Sequence, residues 1–217
     1  MTTGRAYVPA AGHDRWLSLY DPLTRLLGAH AALRDLLLQA AVQPGARVLD
    51  IGCGTGTLVT MLKLQHPNVE VVGLDPDPKA LDRARHKAAH AGATVDFVCG
   101  FADSIPSADA SFDRVLSSFM LHHLTLDEKR AALADVARVL KPGGTLHIVD
   151  FVSAHERSRG VIARMLHADD HLSDSGEGRT VALLEGAGFT AAEVGARRTL
   201  FGPVSFYRAV RAGRGGR

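Results

Sequence analysis

The stretch VLDIGCGTG, residues 48–56, limits the fold of this chain more than any other: an apolar run ends in Asp50, and glycines follow at positions 52, 54 and 56. Alternate glycines allow positive φ and a bare backbone, and TLVTMLKLQH continues with Leu58, Met61 and Leu62 at helical spacing. The reading is strand, tight turn, helix. A turn of this kind presents N–H groups at a helix N-terminus, which attract anions. Asp50 argues against a phosphate there, because a pyrophosphate would meet a like charge in a partly desolvated turn. The dinucleotide fingerprint G-x-G-x-x-G fails too: started at Gly52 it needs a third glycine where the chain has Thr57.

Beyond the turn, strand and helix patterns alternate. VEVVGLD reads as a second strand, and DPKALDRARHKAAHAG as a helix with Asp77 as N-cap, Pro78 in the first turn and Gly92 past the end. Its expected buried stripe is Leu81, Ala84, Ala88 and Ala91. TVDFVCG and SFDRVLSS give strands three and four. TLDEKRAALADVARVL opens on a capping box, Thr125 and Glu128, carries Leu133, Val136, Ala137 and Leu140 on one face, and stops at KPGG. TLHIVDF is strand five, TVALLEGAGF a further helix, and AEVGARRTL and PVSFYRAVR two antiparallel neighbours. This alternation predicts an α/β, Rossmann-like, doubly wound and mostly parallel seven-stranded sheet, with helices on both faces and an antiparallel last strand. Ligands of such sheets sit beyond the C-terminal strand ends, near the switch point.

The 217 residues, 46% hydrophobic, suffice for one well-filled domain. The expected organisation is a flexible N-terminus over 1–12, a single domain over 13–210 and a flexible basic tail over 211–217. Within the domain, 13–43 form a helical lid and 152–178 a second lid over an acceptor. A formal charge of +2 leaves no strong field toward nucleic acid or an anionic membrane surface. No apolar stretch is long enough to span a bilayer, and the first residues lack the apolar core of a signal peptide, so a soluble, cytoplasmic protein is expected. The two cysteines, Cys53 and Cys99, belong to no ligand-spaced cluster, and no metal is expected. Oligomeric state is not written in these residues.

A ligand that suits the turn carries positive charge for Asp50, a carboxylate for the helix N-terminus after Gly56, and hydroxyls for an acid at the end of the second strand. An amino acid joined to a nucleoside has all three, and S-adenosylmethionine is such a molecule. Asp75, closing VVGLD, stands where the ribose hydroxyls would be met, and Asp103 in GFADSIP where the adenine amino group would be. With these residues in view the chain resembles the class I S-adenosylmethionine-dependent methyltransferases over nearly its whole length. VLDIGCGTG matches that family's first motif, VVGLD the second, FADSIP the loop after strand three, FDRVLSSFMLHHL strand four and its exit, and LKPGGTLHIVDF strand five. The resemblance implies cofactor contacts from Asp50, Gly52, Cys53, Gly54, Gly56, Pro76 and Ser118, a ribose ligand in Asp75, and an adenine rim of Phe101, Ala102 and Asp103. It also implies that the segment before the first strand folds over the cofactor, with Tyr20 of LYDP as a lid contact.

Methyl transfer from a sulfonium is a direct displacement, and a general base helps only where the acceptor must lose a proton. His122 and His123 follow strand four at the sheet edge where the methyl group should lie, and are the candidate bases. His147, alternating within strand five, reads as buried structure. His167 and His171 are one helical turn apart beside Asp169 and Asp170, but without a third ligand at a telling interval they read as a solvated helix face. SSFMLHH departs from the pattern of DNA amino-methylating enzymes, and two cysteines are too few for arsenic methylation as similar proteins perform it. The quinone-biosynthesis C-methyltransferases are closer, sharing YDP, although LTRLLGAHAALRDLL departs from that subgroup. The expectation is a methyltransferase acting on a small-molecule acceptor, with the atom methylated left open. A nicotinamide-dependent oxidoreductase and a catalytically silent S-adenosylmethionine-binding protein are the alternatives.

Overall fold

The computed structural model describes residues 29–151, 178–200 and 202–212. The expected N-terminus over 1–12, residues 13–28 of the N-terminal lid with Tyr20, the His167 and His171 pair and residues 213–217 of the tail lie outside the described residues, as does the second lid but for Gly178. The described chain runs α1 (Ala29–Ala40), β1 (Arg47–Ile51), α2 (Thr57–Gln65), β2 (Glu70–Asp75), α3 (Pro78–His90), β3 (Asp96–Cys99), β4 (Phe112–Ser118), a 3-10 turn (Leu121–His123), α4 (Leu126–Val139), β5 (Leu140–Phe151), α5 (Arg179–Gly186), β6 (Phe189–Thr199) and β7 (Gly202–Arg211).

The strands form one seven-stranded sheet in the order β3-β2-β1-β4-β5-β7-β6. Pairing is parallel from β3 through β5, and β7 is antiparallel to both β5 and β6, as the sequence pattern predicts. Period-two alternation splits the apolar residues between two cores. Val48, Val71, Leu116 and Val149 face one side, packed with Leu36 of α1, Leu62 of α2 and Leu81 of α3. Leu49, Val72, Val115 and Ile148 face the other, packed with Leu133 and Val136 of α4 and Leu184 of α5. Each such side chain, taken wholly out of water, contributes about 1.5–3 kcal/mol. Because β1 pairs with β2 on one side and β4 on the other, the order in which strands are added reverses there and opens a crevice at the C-terminal ends of β1 and β4.

Helix ends follow the sequence closely. Asp77 caps α3 by accepting from the Lys79 N–H, and Thr125 and Glu128 form the capping box of α4. Two local expectations are corrected. Ala91 is exposed just beyond the end of α3, where helical periodicity no longer applies, and Ala80 is buried instead. The helix does stop at KPGG, but β5 begins at Leu140, ahead of the expected TLHIVDF, and pairs Leu140 with Phe112 before a register shift to Thr145 and Arg114.

His147 is buried structure, as expected. The Gln39 amide lies 3.1 Å from its Nδ1 and the Thr145 hydroxyl 2.9 Å from its Nε2, which suits a neutral ring. Burial, with Arg114 and Arg208 nearby, lowers its pKa to about 3. Below pH 6.5 the unfolded chain therefore takes up a proton that the native state refuses, and stability falls as pH drops toward 3. Between about pH 6.5 and 5, above the carboxylate range, this one group should cost up to about 1.4 kcal/mol per pH unit. Urea titrations across that window should show the slope in the wild type and its loss in His147→Leu; equal slopes would refute the assignment.

Candidate active site

The turn after β1 bends through three left-handed glycines, Gly52 (φ 67°), Gly54 (φ 52°) and Gly56 (φ 76°). A Cβ at Gly52 would stand 2.3 Å from Met120 Cγ, and one at Gly56 2.8 Å from Ala84 Cβ and 3.2 Å from its Cα, so α3 leaves no room for a side chain there. Lys87 of α3 further braces the turn, donating to the Thr55 hydroxyl at 3.0 Å and the Thr57 hydroxyl at 2.8 Å.

Asp75, at the end of β2, does more than line the crevice. Its Oδ2 accepts from the Gly54 N–H at 2.8 Å and its Oδ1 from the Asp77 N–H at 2.9 Å. One carboxylate thus ties the glycine turn to β2 and to the start of α3. Cys53, buried in the turn, adds an N–H bond to the Leu74 carbonyl at 3.0 Å. Burial lifts the Asp75 carboxyl above its ordinary range in spite of the two N–H donors. Pro76 follows, its carbonyl 3.6 Å from Cys99 Sγ.

Asp50 is wholly buried, and neither carboxylate oxygen has a hydrogen-bond partner among the described residues. Burial first, then the charge of Asp75, push its pKa well up. An ionised carboxylate there without a donor or a cation is costly, so burial favours the neutral acid and a ligand that brings a cation would favour the charged form. Since its pKa is raised in the native state, the charged form lowers the stability of the ligand-free protein above the ordinary carboxylate range. Asp50→Asn should therefore stabilise the ligand-free protein by about 1–3 kcal/mol at neutral pH while weakening its cationic ligand about tenfold or more. Urea unfolding and calorimetric titration read the two effects, and a destabilised variant with unchanged affinity would refute the role.

Phe101, Ala102 and Asp103 sit half-buried on the segment between β3 and β4. That segment is clamped to α4: the Ile105 N–H donates to Asp135 Oδ2 at 2.6 Å, and Arg138 donates to the carbonyls of Ile105 (2.9 Å) and Ser107 (2.8 Å) and to Asp109 (2.9 Å). The rim is thereby a fixed wall.

At the other side of the crevice, β4 ends at Ser118, beside Val149 of β5. Phe119 then takes φ 54°, a conformation that a bulky side chain seldom adopts, and turns the chain back toward β5. The turn delivers His122 onto Asp150. The ring Nδ1 is 2.7 Å from Asp150 Oδ1, and the His122 backbone N–H donates to Oδ2 at 3.1 Å. Burial opposes ionisation of Asp150, but His122 and the N–H donors outweigh it and hold the carboxyl below its ordinary value. An ionised Asp150 accepts only, so the proton of the neutral ring lies on Nδ1 and Nε2 is the basic nitrogen. The Phe151 ring meets His122 edge-on at 5.1 Å. His123 is exposed and rests against the His122 ring at 3.9 Å. The structure thus separates two histidines that the sequence left equivalent.

Asp150, Met120, Asp135 and Arg138 escaped the sequence reading. Asp150 had a legible signal, an acid closing an apolar strand just as Asp75 does; the others depend on tertiary contacts. Among the described residues no cluster of His, Cys, Asp and Glu could hold a metal, and no helix is long and apolar enough to cross a membrane.

Comparison with known proteins agrees with this geometry. A family profile described as a methyltransferase domain matches residues 48–144, from β1 into β5. The chain is 39% identical over 152 residues to a demethylmenaquinone methyltransferase of Thermus thermophilus, covering 67% of each protein. It is 38% identical over 138 residues to a ubiquinone/menaquinone biosynthesis C-methyltransferase of Xanthomonas campestris, covering 61% of this chain and 54% of that one. In fold it superposes on a SAM-dependent methyltransferase from Methanosarcina mazei with a TM-score of 0.67 at 21% identity, covering 82% of this chain and 97% of the other. The chain belongs to the S-adenosylmethionine-dependent methyltransferases.

Proposed function

We propose that this protein transfers a methyl group to a small aromatic acceptor that loses a proton on methylation, of the kind represented by hydroxylated quinone precursors. The observation that carries the reading is the His122–Asp150 pair, which puts a basic imidazole nitrogen at the ends of β4 and β5, beside the cofactor crevice. The names of the two quinone-methylating relatives support the acceptor class.

S-adenosylmethionine, when bound, supplies an electrophilic methyl group on a sulfonium. The glycine turn and the N-terminus of α2 receive its carboxylate, Asp50 is the counter-charge for its ammonium, and Asp75 meets the ribose hydroxyls. Phe101, Ala102 and Asp103 border the adenine, with Cys53, Pro76 and Ser118 completing the wall and Tyr20 assigned to its cover. On the acceptor side His122 Nε2 would take up the phenolic proton while Asp150 holds the ring, which raises electron density on the carbon to be methylated. As the C–CH3 bond forms and the S–CH3 bond breaks to leave a neutral thioether, the proton on that carbon is lost to water and the imidazolium returns its own to the phenolate oxygen. Positioning in such a site is worth about 7–11 kcal/mol. The base adds about 10²–10⁴ in rate. The acceptor is a small molecule in this reading, with no part for nucleic acid.

The test supplies methyl-labelled S-adenosylmethionine and a demethylated naphthoquinol, with a small-molecule extract of the source cells in parallel. Label in an aromatic product is the expected result. Label only in a non-aromatic product would overturn the acceptor class, and none anywhere with cofactor binding intact would favour the catalytically silent alternative.

A further inference from the structure

Behind the His122–Asp150 pair lies a cavity of about 20 Å³, lined by Lys129 of α4, Thr180 of α5 and Tyr207 of β7 together with the pair itself. That space admits a single water, and the wall supplies the two to four polar groups that a buried water needs. Lys129 is the unexpected member. It is 5% exposed, and its side chain forms no ion pair or hydrogen bond with a described residue. It also lies in the first turn of α4, where the helix dipole disfavours a cation. A lysine buried there, without a direct partner, lowers stability unless the charge acts on something nearby.

The charged group sharing its cavity is Asp150. We propose that one water in this cavity bridges the Lys129 ammonium to the Asp150 carboxylate, and that Lys129 is a positioning residue that holds this carboxylate against His122 and offsets part of its charge. The inference rests on the base role given to His122 above. The water accepts from Lys129, exchanges hydrogen bonds with the Thr180 and Tyr207 hydroxyls, and donates to Asp150. Tyr207 stays neutral and able to donate, since burial and then Glu193 push its pKa up. Among the described residues the titratable groups around the His122 ring include His123 on its own turn, Asp150 on β5, Lys129 on α4 and Tyr207 on β7, with Glu193 of β6 behind Ser205 at 2.8 Å.

The imidazole nitrogens of His122 can be titrated by nitrogen NMR in the wild type, Lys129→Met and Lys129→Gln. Methionine keeps the apolar stem and glutamine a polar head, so both suit the helix and its packing. Loss of the cation should raise the His122 midpoint by about half a unit or more in both variants, because the imidazolium is no longer repelled. A midpoint unmoved in both would overturn the proposal. So would an unmoved midpoint with a raised acceptor KM, which would make Lys129 an acceptor anchor. Asp150→Asn, measured the same way, should lower the midpoint. Failure of that control would refute the pair itself, separately from Lys129, and the midpoints are read without turnover.

Discussion

Asp75→Ala is expected to weaken S-adenosylmethionine binding by about a hundredfold or more, since hydrogen bonds to a charged group are worth about 1.5–3 kcal/mol each and this variant loses several. Two causes add. The ribose hydroxyls lose their acceptor, and the Gly54 and Asp77 N–H groups lose the carboxylate that fixes the turn against β2. Asp75→Asn keeps one oxygen acceptor and should fall between wild type and alanine. Stability should move much less than affinity, because removing a buried carboxylate with a raised pKa relieves a cost while the N–H bonds are lost. Titration with S-adenosylhomocysteine reads the effect directly, and an Asp75→Ala affinity close to wild type would show that this acid neither braces the turn nor meets the ligand.

The second large effect is on rate. His122→Ala should lower kcat by about 10²–10³ and leave cofactor affinity near wild type, because the ring acts on the acceptor and not on the cofactor. The acid limb of the wild-type pH–rate profile should flatten in the same variant. His123→Ala, on the exposed side of the pair, should stay within about threefold of wild type. If the two single variants behave alike, or if His122→Ala keeps the wild-type rate, the methyl acceptor needs no base from this turn.

What the sequence disclosed and what it hid divide along a physical line. Strand and helix periods, the Asp77 cap, the Thr125–Glu128 box and the glycine turn are local patterns, and each appears in the structure where local chemistry puts it. The residues proposed for the cofactor were singled out from the same local patterns, since they fall at strand ends beside turns. The hidden features are non-local. The Asp135–Arg138 clamp on the segment between β3 and β4 joins residues about thirty positions apart, and Asp150 meets His122 across the turn that Phe119 makes in a left-handed conformation. The helix stops at KPGG as the local pattern says, but β5 starts at Leu140, ahead of TLHIVDF, because Leu140 pairs with Phe112 across a register shift.

The most direct measurement is calorimetric titration of the wild-type protein with S-adenosylmethionine and, in the same buffer, with NADH. Saturating one-site binding of the first and no heat from the second is the expected result, since Asp50 favours a cationic amino acid joined to a nucleoside and disfavours a pyrophosphate, and Thr57 stands where a dinucleotide turn needs its third glycine. Saturation by NADH with none by S-adenosylmethionine would mean that the glycine turn serves another chemistry.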